Sequence, residues 1–157
     1  MSELLVPTAK GQPCLGWREW VALPELHIPH IKAKIDTGAR SSTIHAFSIE
    51  PYQNGGQPWV MFAVHPIQHD NTQVVECHAP VLDRRIVSDS GGHKQRRFVI
   101  ETKLVLGQTA IRAEMTLTNR DSMLFRMLIG RTAMNQRFIV DPNASYLQGE
   151  PQANLDG

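Results

Sequence analysis

Apolar residues fall in short blocks along this chain, and turn-forming residues separate the blocks at close intervals. Ile31, Ala33 and Ile35 make one such block, a strand that runs directly into Asp36, Thr37 and Gly38. Before it, Trp17, Val21 and Leu23 predict a strand within Leu15 to Leu26. Pro24 limits pairing near its end, because proline cannot donate to a ladder. His27-Ile28-Pro29-His30 reads as the hairpin turn between these two strands. After the acidic turn, Ser41 to Phe47 is compatible with a receiving strand that Ile49 to Tyr52 extends. Asn54-Gly55 supplies the positive φ of a tight turn, and Trp59 to Pro66 and Val74 to Val81 follow as strands. Ile86 to Arg96 reads as a hairpin with a glycine-rich tip. Phe98 to Leu106 and Thr109 to Thr118 form a second hairpin through Gly107-Gln108. Met127 to Ile129 is the last core strand, Arg131 to Gln136 a short helix, and Phe138 to Val140 an edge pairing. Short strands punctuated this regularly predict an all-β barrel or sandwich.

Composition narrows the class without changing that picture. A chain of 157 residues is one domain with room for its own core. A hydrophobic fraction of 41% and a charged fraction of 20% suit a soluble globular protein and not disorder. A net charge of +1 predicts no nucleic-acid partner. Met1 to Lys10 lacks the basic start and apolar run of a secretory signal, and no stretch is long enough to span a membrane. Two cysteines, Cys14 and Cys77, make no disulfide framework, so the expected compartment is the reducing cytoplasm. The expected organisation is a tail at 1–14, one barrel domain at 15–148 and a second tail at 149–157, and the Pro, Asn, Gly and Gln content already reads as tail-like from Asp141 onward.

Candidate chemistry centres on Asp36. The plain reading is a strand followed by an Asx-type turn with a solvated carboxylate. A second stretch, Met127-Leu128-Ile129-Gly130-Arg131, tips the balance. Asp-Thr-Gly-Ala early and an aliphatic run into Gly-Arg late is a pairing that resembles the retropepsin-like aspartic proteases. The chain is also similar, more narrowly, to the bacterial family labelled ATP-dependent zinc proteases. The residues that carry this likeness include Gly16-Trp17-Arg18-Glu19, Ile44-His45-Ala46, Arg84-Arg85, Ser90-Gly91-Gly92, Leu117-Thr118-Asn119-Arg120 and Phe138-Ile139-Val140-Asp141.

The resemblance implies a retropepsin-like closed barrel with one short helix near the C-terminus. It implies a catalytic turn of Asp36, Thr37 and Gly38, with substrate contacts from Ala39, Arg40, His45, Arg131 and a flap at Ser90, Gly91 and Gly92. An aspartic mechanism needs two carboxylates and this chain holds one Asp-Thr-Gly, so the second is expected from Asp36 of a homodimer partner. Arg40 beside the turn and the long segment from Phe47 to Val81 depart from the viral type. The family also implies a link to ATP-grasp glutamate ligases, and an acidic peptide or glutamylated protein would suit Arg40, Arg84, Arg85, Arg96 and Arg97. Two alternatives stand beside the peptidase: a non-catalytic module that binds acidic peptides, and a metal-dependent hydrolase using His45 near Asp36. The seven histidines and two cysteines show no four-ligand spacing, so no metal is expected. No glycine loop ending in Gly-Lys-Ser/Thr is present either, so no nucleotide cofactor is expected.

Overall fold

The computed structural model describes residues 11–88, 91–119 and 124–151. The tail expectations at 1–10 and 152–157, and the Ser90 and Arg120 positions, lie outside the described residues. Among the described residues the chain is built of strands with one short α-helix, the all-β class that the sequence pattern predicts.

The strand that delivers Asp36 is β3 (Ile28–Ile35). Its pleat sends Ile31, Ala33 and Ile35 inward, while Lys32 and Lys34 face outward. Its neighbours are β2 (Arg18–Leu23), which runs antiparallel to it, and β11 (Met127–Ile129), which runs parallel. Beyond β11 lie β4 (Ser42–His45) and β10 (Thr109–Thr118), and β10 pairs with β9 (Lys94–Leu106) along most of its length. Because β9 also touches β2 at Ala22 opposite Val105, the pairings return on themselves. The core inside includes Ile31, Ile44, Ile100, Leu104, Met115, Leu117 and Met127, all essentially inaccessible. Burying one such side chain stabilises the fold by about 1.5–3 kcal/mol relative to leaving it exposed.

β11 lies between β3 and β4, two strands joined by only a short turn. This insertion forces the turn at 36–41 to arch over the end of β11, which is why the acidic turn and Gly130 meet. After β11 the chain enters α1 (Arg131–Met134), shorter than the helix expected to Gln136. Asn135, with ψ at 128°, leaves the helical conformation and caps it, and Gln136 follows in the left-handed region at φ 65°.

The segment from Phe47 to Val81 forms its own antiparallel sheet of β5 (Ser48–Asn54), β6 (Gln57–Val64) and β7 (Val75–Pro80). The glycine-rich hairpin is made by β8 (Asp83–Ser88) and the start of β9.

Three boundaries differ from expectation, each for a local reason. The first hairpin turn is not at His27 to His30 but at a 3-10 turn, Pro24–Leu26, with His27 left-handed at φ 60°. Pro24 fixes φ at the start of that turn, and Leu26 is buried beneath it, 2% exposed. At the N-terminal side, Cys14 does not belong to a tail. β1 (Cys14–Leu15) pairs in parallel with β12 (Ile139–Val140). The stretch after Asp141 is not loose either, although its Pro, Asn and Gly content reads as a tail. Ala144 accepts from the Trp17 amide at 2.8 Å and Tyr146 donates its amide to Arg18 at 2.9 Å. Gly16 makes the closest approach, since a Cβ there would lie 2.2 Å from the Ala144 carbonyl oxygen.

Candidate active site

The Asp36 backbone is fixed before its side chain is. Its amide donates to the Ile129 carbonyl at 2.9 Å, which ties the end of β3 to the end of β11. The Asp36 Oδ1 then accepts the Gly38 amide at 2.9 Å, an Asx-type turn, and Ala39 donates back to the Asp36 carbonyl at 3.2 Å. A Cβ on Gly38 would come 3.2 Å from that same Oδ1, so the glycine serves close approach of the carboxylate. Thr37 and Gly38 are exposed and Asp36 is half-buried.

The underside of the turn is held by the other end of the motif. Arg131 donates its amide to Ala39 at 2.8 Å, and Thr132 donates to Arg40 at 3.0 Å. The Arg131 guanidinium donates through Nη1 to the carbonyls of Thr37 and Gly38, 3.1 Å each. Gly130 donates to the buried Ser42 Oγ at 3.1 Å, and a Cβ there would sit 2.5 Å from the Ser41 carbonyl carbon. Only glycine fits under this arch. Arg131 thus braces the turn from outside the groove, where the expected role was a substrate contact.

A groove of about 740 Å³ opens over this turn. One wall is the turn itself, with Asp36, Gly38, Ala39, Arg40 and Ser41; the opposite wall is Arg85 to Ser88 of β8. The floor holds Thr43 of β4, Thr118 of β10 and Arg97 of β9. Among the described residues that line the groove, Asp36 is the one carboxylate, facing Arg40, Arg85 and Arg97.

These arginines differ. Arg40 is exposed at the rim. Arg85 donates to Glu114 at 2.7 Å and to Asp83 at 2.9 Å, and these bonds raise its affinity for the proton further above the ordinary arginine range. The same contact holds Asp83 below the usual carboxylate range. Arg97 is 7% exposed, and its guanidinium donates to Gln95 Oε1 at 2.9 Å and to the hydroxyls of Thr43 and Thr116 at 3.3 and 3.4 Å.

The chain matches a described family over most of its length. Residues 14–151 fit the family model for the retropepsin-like aspartic endopeptidase RimB. The chain belongs to the RimB-like family. This RimB-like chain is also 47% identical over 136 residues to a "Probable alpha-L-glutamate ligase" of Shewanella pealeana, covering 87% of the chain and 30% of that protein. A protein of the same name from Desulfotalea psychrophila is 48% identical over 136 residues, with 87% and 29% covered. The chain therefore spans about 30% of the length of these relatives. Among solved structures, a Legionella pneumophila protein of unknown function superposes with a TM-score of 0.71 at 26% identity, covering 87% of this chain and 98% of that one.

In this RimB-like chain, Asp36, Gly38, Ala39 and Arg40 are brought together on the groove. His45 is not among the groove-lining residues; it is 3% exposed at the end of β4, with its amide bonded to Arg126. Gly91 and Gly92 are not among the groove-lining residues, whereas Arg85 to Ser88 of β8 are. Gly92, at φ 82°, turns the hairpin. Among the described residues no group of three or more His, Cys, Asp or Glu side chains is placed to hold a metal ion. Thr43 and Ser88 line the groove without any motif to mark them, while Thr118 and Leu128 fall in stretches that carry the family likeness without having been expected at the site. Arg97 is one of the arginines expected to suit an acidic peptide, and it shares strand parity with the buried Val99.

Proposed function

We propose that this chain is an aspartic-type peptidase that cleaves glutamate-rich peptide or isopeptide tails, with Asp36 as one catalytic carboxylate. The observation that carries the reading is an Asp36 held by backbone bonds that is, among the described residues, the one carboxylate on a groove lined by three arginines. The relatives' name, probable alpha-L-glutamate ligase, supports the substrate class. Hydrolysis without a metal needs one carboxylate to take the proton of the attacking water and another to protonate the carbonyl. In this reading the second carboxylate is Asp36 of a twofold-related copy, and the exposed Thr37 and Gly38 form the contact across the axis. Two carboxylates so close share a proton and titrate as a pair. A cytoplasmic setting and a functional partnership with a glutamate ligase belong to the same reading; a peptidase would remove what a ligase adds.

The test is Asp36→Asn against a glutamate-tailed peptide. Asparagine keeps an oxygen for the Gly38 amide, so the turn and the melting temperature are expected to survive while hydrolysis is lost. Wild-type activity is expected to follow a bell-shaped pH profile. Undiminished hydrolysis by folded Asp36→Asn protein would remove Asp36 from the mechanism. The second reading, a binding module for acidic chains, is favoured by the same cationic groove. It gains if the wild type binds the peptide, stays monomeric and cleaves nothing.

A further inference from the structure

Arg40 differs from the other groove arginines in the backbone that carries it. Arg85 stands on β8 and is taken up by two carboxylates, Asp83 at 2.9 Å and Glu114 at 2.7 Å. Arg97 stands on β9 and is buried in the floor. Arg40 belongs to the acidic turn itself. Its carbonyl accepts the Thr132 amide at 3.0 Å, and the Ala39 carbonyl before it accepts the Arg131 amide at 2.8 Å. Just after it, Ser42 Oγ accepts the Gly130 amide at 3.1 Å. Packing is as close as bonding here, since a Cβ on Gly130 would lie 2.9 Å from the Arg40 carbonyl carbon. The junction of β11 and α1 therefore fixes the Arg40 backbone, as the end of β11 fixes that of Asp36.

The Arg40 side chain, in contrast, is exposed and lines the groove. Among the described residues no hydrogen bond or ion pair takes up its guanidinium. An exposed guanidinium gives up little solvation when a carboxylate replaces water at its fork, and the fork can meet both carboxylate oxygens.

Symmetry adds the second step. In the proposed peptidase a twofold axis passes between two copies of Asp36, so Arg40 occurs twice, once on each side of that axis. A peptide lying across the axis, with its scissile bond at the carboxylate pair, has one Arg40 toward its N-terminal half and the other toward its C-terminal half. We infer that the paired Arg40 side chains select a bond with acidic residues on both sides, so that cleavage falls within a glutamate run and not at its junction with neutral sequence. This rests on the proposed peptidase reading and its homodimer, and adds to it which bond is cut.

Two end-blocked peptides test the inference: tetraglutamate followed by tetraglutamine, and the reverse order. Products from wild type, Arg40→Gln, Arg40→Lys and Lys34→Gln are mapped by mass spectrometry, with kcat/KM for each bond and a melting curve for each protein. Wild type is expected to cut inside the glutamate tract in both orders, favoured over the junction bond by about tenfold or more, the scale of one charge-assisted contact. Arg40→Gln is expected to bring that ratio to about one, and Arg40→Lys to keep only part of it, since lysine retains the charge and loses the fork. Lys34 is exposed on β3 and does not line the groove, so Lys34→Gln removes the same charge and is expected to leave the cutting pattern unchanged. Should Arg40→Gln fail to fold, Arg40→Lys decides in its place. A folded Arg40 variant with the full preference for the tract overturns the inference. So does a wild type that cuts the junction as readily as the tract, in either order. Both of those outcomes leave the peptidase reading standing. A wild type that cuts neither peptide ends the reading and the inference together.

Discussion

Glu19 offers the most direct test of how the chain after β12 is kept on the barrel. Its carboxylate is fully buried and accepts three backbone amides: Gly16 at 2.6 Å, Leu147 at 2.9 Å and Gln148 at 3.1 Å. Gly16 and Leu147 meet Oε2, and Gln148 meets Oε1. In Glu19→Gln, whichever way the amide flips, its NH₂ faces at least one of these donors. A hydrogen bond to a charged group contributes about 1.5–3 kcal/mol, and an orphaned buried donor costs about 1–3 kcal/mol. Relief from burying a charge offsets part of this, leaving a net loss of about 2–4 kcal/mol. For a domain of this size that is a fall in Tm of roughly 5–15 °C.

The assay is thermal unfolding by circular dichroism, paired with hydrogen exchange of the Leu147 and Gln148 amides. Both amides are expected to lose protection in Glu19→Gln well before the β9 and β10 amides do. A melting point within about 2 °C of wild type, with both amides still protected, would refute the role assigned to Glu19.

Gly130→Ala places a methyl group 2.5 Å from the Ser41 carbonyl carbon, and the expected cost is about 1–3 kcal/mol of overpacking, read as a lowered urea midpoint. Burial pushes the Cys77 thiol up to about 12, so in folded protein at pH 8 iodoacetamide is expected to leave Cys77 unmodified and to alkylate it once urea unfolds the chain. Asp83 titrates below its ordinary range because Arg85 bonds its ionised form. Its stabilising contribution is present above the unfolded pKa and is lost as pH falls through the lower folded value. Arg85→Met is expected to move the Asp83 titration, followed by NMR, back up toward the ordinary aspartate range.

Period-2 patterning made most strands legible. Phe98 to Leu106 and Thr109 to Thr118 are bounded by Gly107, and the observed hairpin turns there with Gly107 at φ 60°. Met127–Ile129 stands out because an apolar triplet is followed at once by glycine. The C-terminal stretch was illegible for a physical reason. Composition reports local preference, whereas residues 144–148 are held by a distant carboxylate and by backbone groups of β1 and β2. His45 shows the opposite error. Its nearness in sequence to Asp36 suggested a site residue, but four strand residues carry it along β4 into the interior. Arg97 lay within a run of charges, Lys94 to Arg97, that reads as a solvated hairpin arm. Only the pairing with β10 and the approach of β4 turn that one position inward.

The two halves of the candidate site come from different parts of the strand ring. The acidic turn belongs to β3, β11 and β4, locked by Gly130 and Ser42. The arginine floor belongs to β9 and β10. What joins them is the parallel pairing of β4 with β10, which sets Thr43 opposite Thr116. Both hydroxyls then point at the Arg97 guanidinium. A register slip of one residue would send Thr43 to the other face of its strand and take the guanidinium's anchor with it. The relative placement of the acidic turn and of the Arg97 guanidinium therefore depends on one strand pairing. That pairing is in turn held by the buried Ile44 and Leu117, opposite each other in the core. The groove's charge pattern is thus a consequence of core packing, and substitutions at Ile44 or Leu117 act on recognition through register and not through contact.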